Sequence, residues 1–455
     1  MALMPFTDSM FLLVESREHP MHVGGLQLFR KPAGADPDYL RGLREDLIKN
    51  EDIPTAFRRH PARPVNSLGY LAWAQDENVD LDYHFRHSAL PRPGRVRELL
   101  ELASRWHSTL LDRHRPLWEI HLVEGLQDDW FAMYSKIHHS LMDGVSALQH
   151  MQSTLSEDPD DHDCPPPWGS PRPRKPRPSR SPGSVLNTAR SSVGQLAGLA
   201  PAAFKVAREA FREHNLTLPM QAPKTMLNVP IGGARRFAAQ SWPLSRVRAI
   251  ATATATSTSR NDVVLAMCAG ALRDYLIEQN ALPDDPLIAM VPVSTRRQSE
   301  SPGSGNQIGA VLTNLATDKK DPAARLATIH LSMREAKRVF KELTPIQALL
   351  LSGINVAQLG ISGVPGVVAG TRPPFNLVIS NVPGPRRQMY WNGAHLDGIY
   401  PASVLLDGQA LNITLTNNGE NLDFGITGCR HSVPHLQRLL VHLDTALAEL
   451  ESAVR

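Results

Sequence analysis

The stretch WFAMYSKIHHSLMDGVSALQ, residues 130–149, changes its local signal twice. Residues 130 to 137 are mostly apolar, which predicts a strand buried near the centre of a sheet. His138 and His139 follow at its C-terminal end. A tight turn comes next, and a helix is predicted from about Asp143 to Leu155, with Asp143 of the type that caps helix N-termini. In α/β proteins, strand ends that face a crevice are where reacting groups sit.

The same alternation of elements extends outward. Residues 118 to 124 (WEIHLVE) alternate like a strand, and residues 93 to 112 place Leu99, Leu100, Leu102, Ala103 and Trp106 on one side of a helix. Before them, residues 20 to 30 read as a strand and 36 to 50 as a helix. Later in the chain, helices are predicted at 244–256, at 322–341 and from about Pro434 to Ala453, with another capped by Ser259 or Asn261. Strands are predicted at 287–294 and 375–380, and Asn418-Gly419 marks a hairpin between ALNITLT and LDFGITG. The class is therefore α/β with mixed sheets.

Composition shifts at Ser156. Proline density through Ser184 forbids helix and sheet ladders, so 156–184 reads as an extended linker between a portion 1–155 and a portion 216–455. Its basic half, Arg172, Arg174, Lys175, Arg177 and Arg180, suits a solvated connector or contact with anionic headgroups. The connector at 185–215 is amphipathic from Val185 to Phe211, which fits core packing or interfacial docking. Residues 343 to 371 carry no charge, but Pro345, Pro365 and five glycines break them. That argues for two short helices rather than a span of ~20 mostly apolar residues.

At 455 residues the chain exceeds what one core absorbs. A net charge of +3 does not suggest nucleic acid as a partner. Three scattered cysteines form no CxxC pair and point to a reducing, cytoplasmic setting, and Asp8, Glu15 and Arg17 leave no signal-peptide pattern at the start. No GxSxG elbow, Walker A loop or GxGxxG fingerprint is present.

Three readings of His138-His139-Ser140-Leu141-Met142-Asp143-Gly144 compete on the residues alone. A metal site would need further ligands, because catalytic zinc wants three and no HExxH or second histidine cluster appears. A structural reading makes the histidines cap the turn and Asp143 cap the helix. An acid-base reading places one imidazole in the cleft, where histidine's ordinary pKa suits proton transfer near neutral pH.

HHSLMDG is similar to the HHxxxDG signature of the CoA-dependent acyltransferase superfamily. PMHVGGLQLF near the start, Pro116-Leu117-Trp118-Glu119, Asn261-Asp262-Val263-Val264-Leu265-Ala266 and Ser380-Asn381-Val382-Pro383-Gly384-Pro385 narrow the resemblance to bacterial wax ester synthase/diacylglycerol acyltransferases. The resemblance spans nearly the whole chain. It implies two chloramphenicol-acetyltransferase-like domains with an active-site channel at their interface. It also implies fatty acyl-CoA as a substrate, with no separate cofactor, and long-chain alcohols or diacylglycerol as acceptors. A peripheral place at the inner membrane or on lipid inclusions would suit such substrates.

Roles follow from the resemblance and the residue types together. His139, second of the pair, is the expected general base, and His138 orients the strand end. Asp143 is expected to bond backbone and Arg296, by analogy with related acyltransferases, and Gly144 to permit tight backbone at the turn. Ser380 and Asn381 are oxyanion candidates. Asn261 and Asp262 read as helix capping, and Pro116, Leu117 and Trp118 as a packing anchor beside the cleft. Ala357 and Gly360 are small enough to leave room for an acyl chain in the uncharged stretch.

Overall fold

The computed structural model describes residues 2–50, 52–62, 71–170, 221–254, 258–294, 308–342 and 372–454. Its β1 (Ala2–Leu3), β3 (Arg59–Ala62) and β4 (Ala72–Gln75) form a small sheet. The two principal sheets have six strands each. The first runs β12 (Tyr390–Trp391), β13 (Ala394–Ala402), β2 (His22–Arg30), β7 (Trp130–His138), β6 (Trp118–Glu124), β5 (Phe85–Ala89). The second runs β10 (Ile308–Asn314), β9 (Ile288–Ser294), β11 (Leu377–Val382), β14 (Leu411–Asn418), β15 (Asn421–Cys429), β8 (Arg235–Pro243). Both mix parallel and antiparallel pairs: β5 with β6, and β11 with β9 and β14, are parallel.

Helices α1 (Phe6–Val14), α2 (Tyr39–Ile48), α3 (Leu81–His84), α4 (Val96–Ser108) and α5 (Gly144–Ser153) belong to the first part of the chain. Helices α6 (Leu244–Ala253), α7 (Arg260–Glu278), α8 (Pro322–Glu342) and α9 (Arg438–Ala453) pack on the second sheet. Its apolar core joins Val247, Leu265, Leu272, Met333 and Leu443 to Ile379, Ile413 and Phe424. Central strand β7 is buried along nearly its whole length, as its apolar run requires.

The strand at 118–124 lies where its alternation puts it. The hairpin forms as expected, with Gly419 at φ +57° as the first of two loop residues and Asn418 still paired to Asn421. Several bounds move inward: the helix expected at 93–112 is Val96–Ser108, and the last helix starts at Arg438 rather than Pro434. Helix α1 and strands β8, β10 and β13 have no counterpart in the sequence reading. Strand β13 carries Pro401 and a register shift between Leu396 and Gly398, so its alternation is broken.

The two sheets are locked together by an exchange. Strands β12 and β13 come late in the chain yet complete the first sheet, β13 pairing with β2 along its length. On the other side, β8 is an edge of the second sheet whose free N–H groups meet α4: Arg235 N–H donates to Ser108 Oγ at 2.8 Å and Phe237 N–H to Ser104 Oγ at 2.9 Å. Covering an edge in this way removes a template for unwanted strand pairing. Residues 156–170 are extended, as their prolines require, but packed: Ser156 bridges Tyr390, Cys164 N–H donates to Asn392 Oδ1 at 2.8 Å, and Trp168 is fully buried beside Phe85 and Trp118. The rest of the linker, the amphipathic stretch 185–211 and the uncharged run 343–371 lie outside the described residues.

Where β13 crosses β15, the buried carboxylate of Asp423 accepts the Ile399 N–H at 2.7 Å. Burial pushes its pKa up to about 7, against hydrogen bonds from Ser241, Ile399 and Asn418 that favour the ion. A carboxyl raised above its unfolded value of about 3.9 lends stability at low pH and loses it as pH rises through the folded pKa. Asp423→Asn keeps the acceptor without the charge. The Tm of the variant minus that of wild type should therefore grow between pH 5 and 8; a difference that stays flat with pH would refute this account.

Candidate functional site

Strand β7 ends held on both sides. His138 N–H donates to Leu117 O at 3.0 Å, from the β6 side, and His139 N–H donates to Met21 O at 2.8 Å, from the β2 side. Successive residues on a strand point to opposite faces, so the two rings part company. Leu117 and Trp118 are fully buried, and the Trp118 indole N–H donates to Phe57 O at 2.8 Å while stacking on His84 with centroids 4.4 Å apart.

His138 is fully buried, and its hydrogen bonds form through Nδ1. Its Nδ1 accepts from the Ser140 hydroxyl at 2.7 Å and from the Ser140 N–H at 3.1 Å. That assigns the proton to Nε2, which faces Glu15 Oε1 at 3.3 Å. Glu15 is in turn gripped by Met21 N–H at 3.1 Å and by Arg113 through Nε at 3.0 Å and Nη2 at 2.8 Å. Burial alone would raise the Glu15 carboxyl, but His138, Arg113 and Met21 together hold it below the usual carboxylate range. The sequence gives no local sign of this cluster, because Glu15 and Arg113 lie far apart in the chain and only the fold brings them to His138.

His139 is different. It remains half-buried, and its Nδ1 has no formed hydrogen bond among the described residues, while its own main chain favours the charged ring. Burial pushes its pKa down to about 4, the Asp143 charge working against the drop and His138 adding to it. The ring is therefore neutral at neutral pH. Phe11, on α1, lies flat against it, with centroids 4.1 Å apart and planes 20° from parallel.

Asp143 is the N-cap of α5, its Oδ1 accepting Ser146 N–H at 2.7 Å. Gly144 departs from expectation. Its φ is not in the left-handed region, and a Cβ there would meet only Val23 Cγ1 at 3.8 Å, so backbone geometry does not require glycine. Glycine is needed instead at Gly24 of the PMHVGG stretch, where a Cβ would sit 2.8 Å from the Ser135 carbonyl oxygen of β7.

The motifs from the two halves meet in part. Gln152, on α5, donates to Pro383 O at 3.2 Å, tying the helix after the histidine pair to the turn after Ser380-Asn381. Asn381 is exposed, and its Nδ2 donates to Asn261 Oδ1 at 3.4 Å. Among the described residues no hydrogen bond joins Ser380 or Asn381 to His139. At the α7 N-terminus, Ser259 and Asp262 form a reciprocal capping box, so Ser259 and not Asn261 is the cap, and Asp262 Oδ2 also accepts from His330 Nδ1 at 2.9 Å. Arg296, Ala357 and Gly360 lie outside the described residues. Among the described residues, no group of three or more His, Cys, Asp or Glu is placed to hold a metal.

Residues 4–264 match the family model for the wax ester synthase/diacylglycerol acyltransferase catalytic domain, and 304–451 match the model for its C-terminal domain. A probable diacylglycerol O-acyltransferase of Mycobacterium tuberculosis is 56% identical over 455 residues, covering 100% of both chains. The O-acyltransferase WSD of Acinetobacter baylyi is 42% identical, with 98% of this chain and 96% of that one covered. Among solved structures, the wax ester synthase/diacylglycerol acyltransferase of Marinobacter aquaeolei superposes with a TM-score of 0.80 at 42% identity, covering 100% of both chains. The first condensation domain of the calcium-dependent antibiotic synthetase shares the fold alone, with a TM-score of 0.58 at 17% identity over 100% of this chain and 96% of that one. The chain belongs to the wax ester synthase/diacylglycerol acyltransferase family.

Proposed function

We propose that this acyltransferase moves a fatty acyl group from acyl-CoA to a long-chain alcohol or to diacylglycerol, with His139 as general base in a direct reaction of both substrates. The observation that carries this reading is the contrast within the pair. His138 has Nδ1 hydrogen-bonded to Ser140 and Nε2 facing the Glu15 carboxylate, whereas His139 is neutral, half-buried and makes no side-chain hydrogen bond to another residue among the described residues. Nε2 takes the hydroxyl proton as the alcohol oxygen attacks the thioester carbonyl. The tetrahedral intermediate collapses with cleavage of the C–S bond, and the imidazolium returns the proton to the departing thiolate. The products are the ester and free CoA thiol, and no acyl-enzyme forms. General base catalysis of this kind supplies roughly 10²–10⁴-fold.

Asp143 acts at a distance, as a helix cap whose charge favours the imidazolium. Ser380 and Asn381 remain the candidates for the oxyanion, supported by the Gln152–Pro383 bond that fastens their turn to α5. The acceptors partition into lipid, and the chain suits a peripheral position at such a surface. No helix among the described residues is long and apolar enough to cross a membrane, while Leu3, Met10, Leu13 and Val14, on and beside the helix that carries Phe11, are exposed.

Three measurements test this reading. His139→Ala should remove thiol release from palmitoyl-CoA and hexadecanol while the protein stays folded; undiminished release would overturn the assignment. Because the folded pKa is about 4, the base is neutral above it, so kcat/KM should hold as pH falls through 6.5 and drop only toward pH 4 or acid unfolding. An acid limb centred at 6.5 would contradict the buried neutral ring. Asp143→Ala should cost about 1 kcal/mol in urea unfolding through loss of the cap, and Asp143→Asn much less; equal losses would remove the capping role.

A further inference from the structure

We propose that Phe11 is a positioning residue for the acyl transfer: its ring, laid flat on the His139 imidazole, fixes the plane of the base and faces the positive charge that the base acquires. This rests on His139 being the base. In many histidine bases a carboxylate bonded to Nδ1 sets the ring's orientation. Here Nδ1 has no such partner among the described residues, and the Asp143 carboxylate caps α5. The ring contact that lies along its face is the parallel stack with Phe11, centroids 4.1 Å apart at 20°.

Phe11 is well placed to act as a fixed surface. It sits one turn from the end of α1, where its carbonyl accepts the Glu15 N–H at 3.1 Å. The Glu15 side chain is clamped by Arg113 and Met21, and Arg113 also donates to Leu12 O at 2.8 Å. The residues on both sides of this turn are thus tied to the body of the first half, and the same Met21 accepts the His139 N–H through its carbonyl. The α1 anchor and the base share one backbone residue.

The face of a phenyl ring is electron-rich and attracts a cation laid over it, whereas a neutral imidazole gains only the ordinary stack. The interaction therefore strengthens as His139 takes up the hydroxyl proton, so it favours the transition state over the ground state. The other groups that bear on the ring are Asp143 and the main chain of His139 itself, which favour the charged form, and His138, which opposes it; Glu15 and Arg113 stand behind His138. Burial works strongly against the charge, which makes an aromatic face the one form of stabilisation that costs no further desolvated polar group.

The test uses the full chain with palmitoyl-CoA and hexadecanol, followed by thiol release. Phe11→Leu keeps an apolar cover without a π face, and Phe11→Trp keeps the face. The expected result for Phe11→Leu is a kcat lower by about two- to tenfold, KM for both substrates within about twofold, and an acid limb displaced to lower pH. Phe11→Trp should retain kcat and the limb. Wild-type kcat in Phe11→Leu, or equal losses in both variants, overturns the proposal. Should Phe11→Leu fail to fold, pentafluorophenylalanine at position 11 preserves shape while reversing the ring's polarity. A fall in kcat there supports the proposal and an unchanged kcat overturns it. His139→Ala run in parallel separates the two ideas: if it stays active the base assignment itself fails, whereas if it is dead and the Phe11 variants behave as wild type, only the role of Phe11 fails.

Discussion

Everything at the site depends on how β7 is held where it stops. The amides of its last residue and of the one that follows are bonded to opposite sides, Leu117 O just before β6 receiving one and Met21 O just before β2 the other. A strand end gripped in this way cannot rotate, and alternation along it sends the two imidazoles to different surroundings. One enters a polar cluster and is neutralised as a reagent by its own hydrogen bonds. The other enters an apolar corner and is kept neutral by desolvation. Adjacent residues of the same type thus acquire different chemistry from backbone geometry alone.

The segment around the histidines was readable because its signals are local. An apolar run, a turn and an acidic cap fall in sequence, and the structure places strand, turn and cap in that order. Trp118 and its neighbours could likewise be read as packing from their size and apolarity. What escaped has no local signal. Glu15 and Arg113 meet only through the fold, and Phe11 lies in an apolar N-terminal run whose reading concerned membrane targeting rather than a helix beside the site. Asp8 in the first turn of α1 is a local cue to that helix, since an acidic side chain there favours a helix N-terminus.

The case of β13 shows a different limit. Its residues, AHLDGIYPA, mix a register shift with a proline, and no periodicity argument would choose them as a strand. They are a strand because β2 offers an open edge and the second sheet presents Asp423 and Thr427 to meet Ile399 and Ser403. Tertiary context decides there, as it commonly does for sheets. Gly144 is the reverse case: a glycine whose position in the motif suggested a backbone demand that the geometry does not make.

The late strand that closes the early sheet has a consequence for how this architecture can be divided. A polypeptide ending anywhere before Tyr390 would leave β2, with its nine residues, as a bare sheet margin, and one ending before Arg235 would also strip α4 of the second-sheet strand its serines serve. Neither half is a self-sufficient folding module in the sense that tandem domains usually are. The presence of both halves is therefore part of the tertiary structure, because loss of either removes a partner that the other's sheet or helix uses.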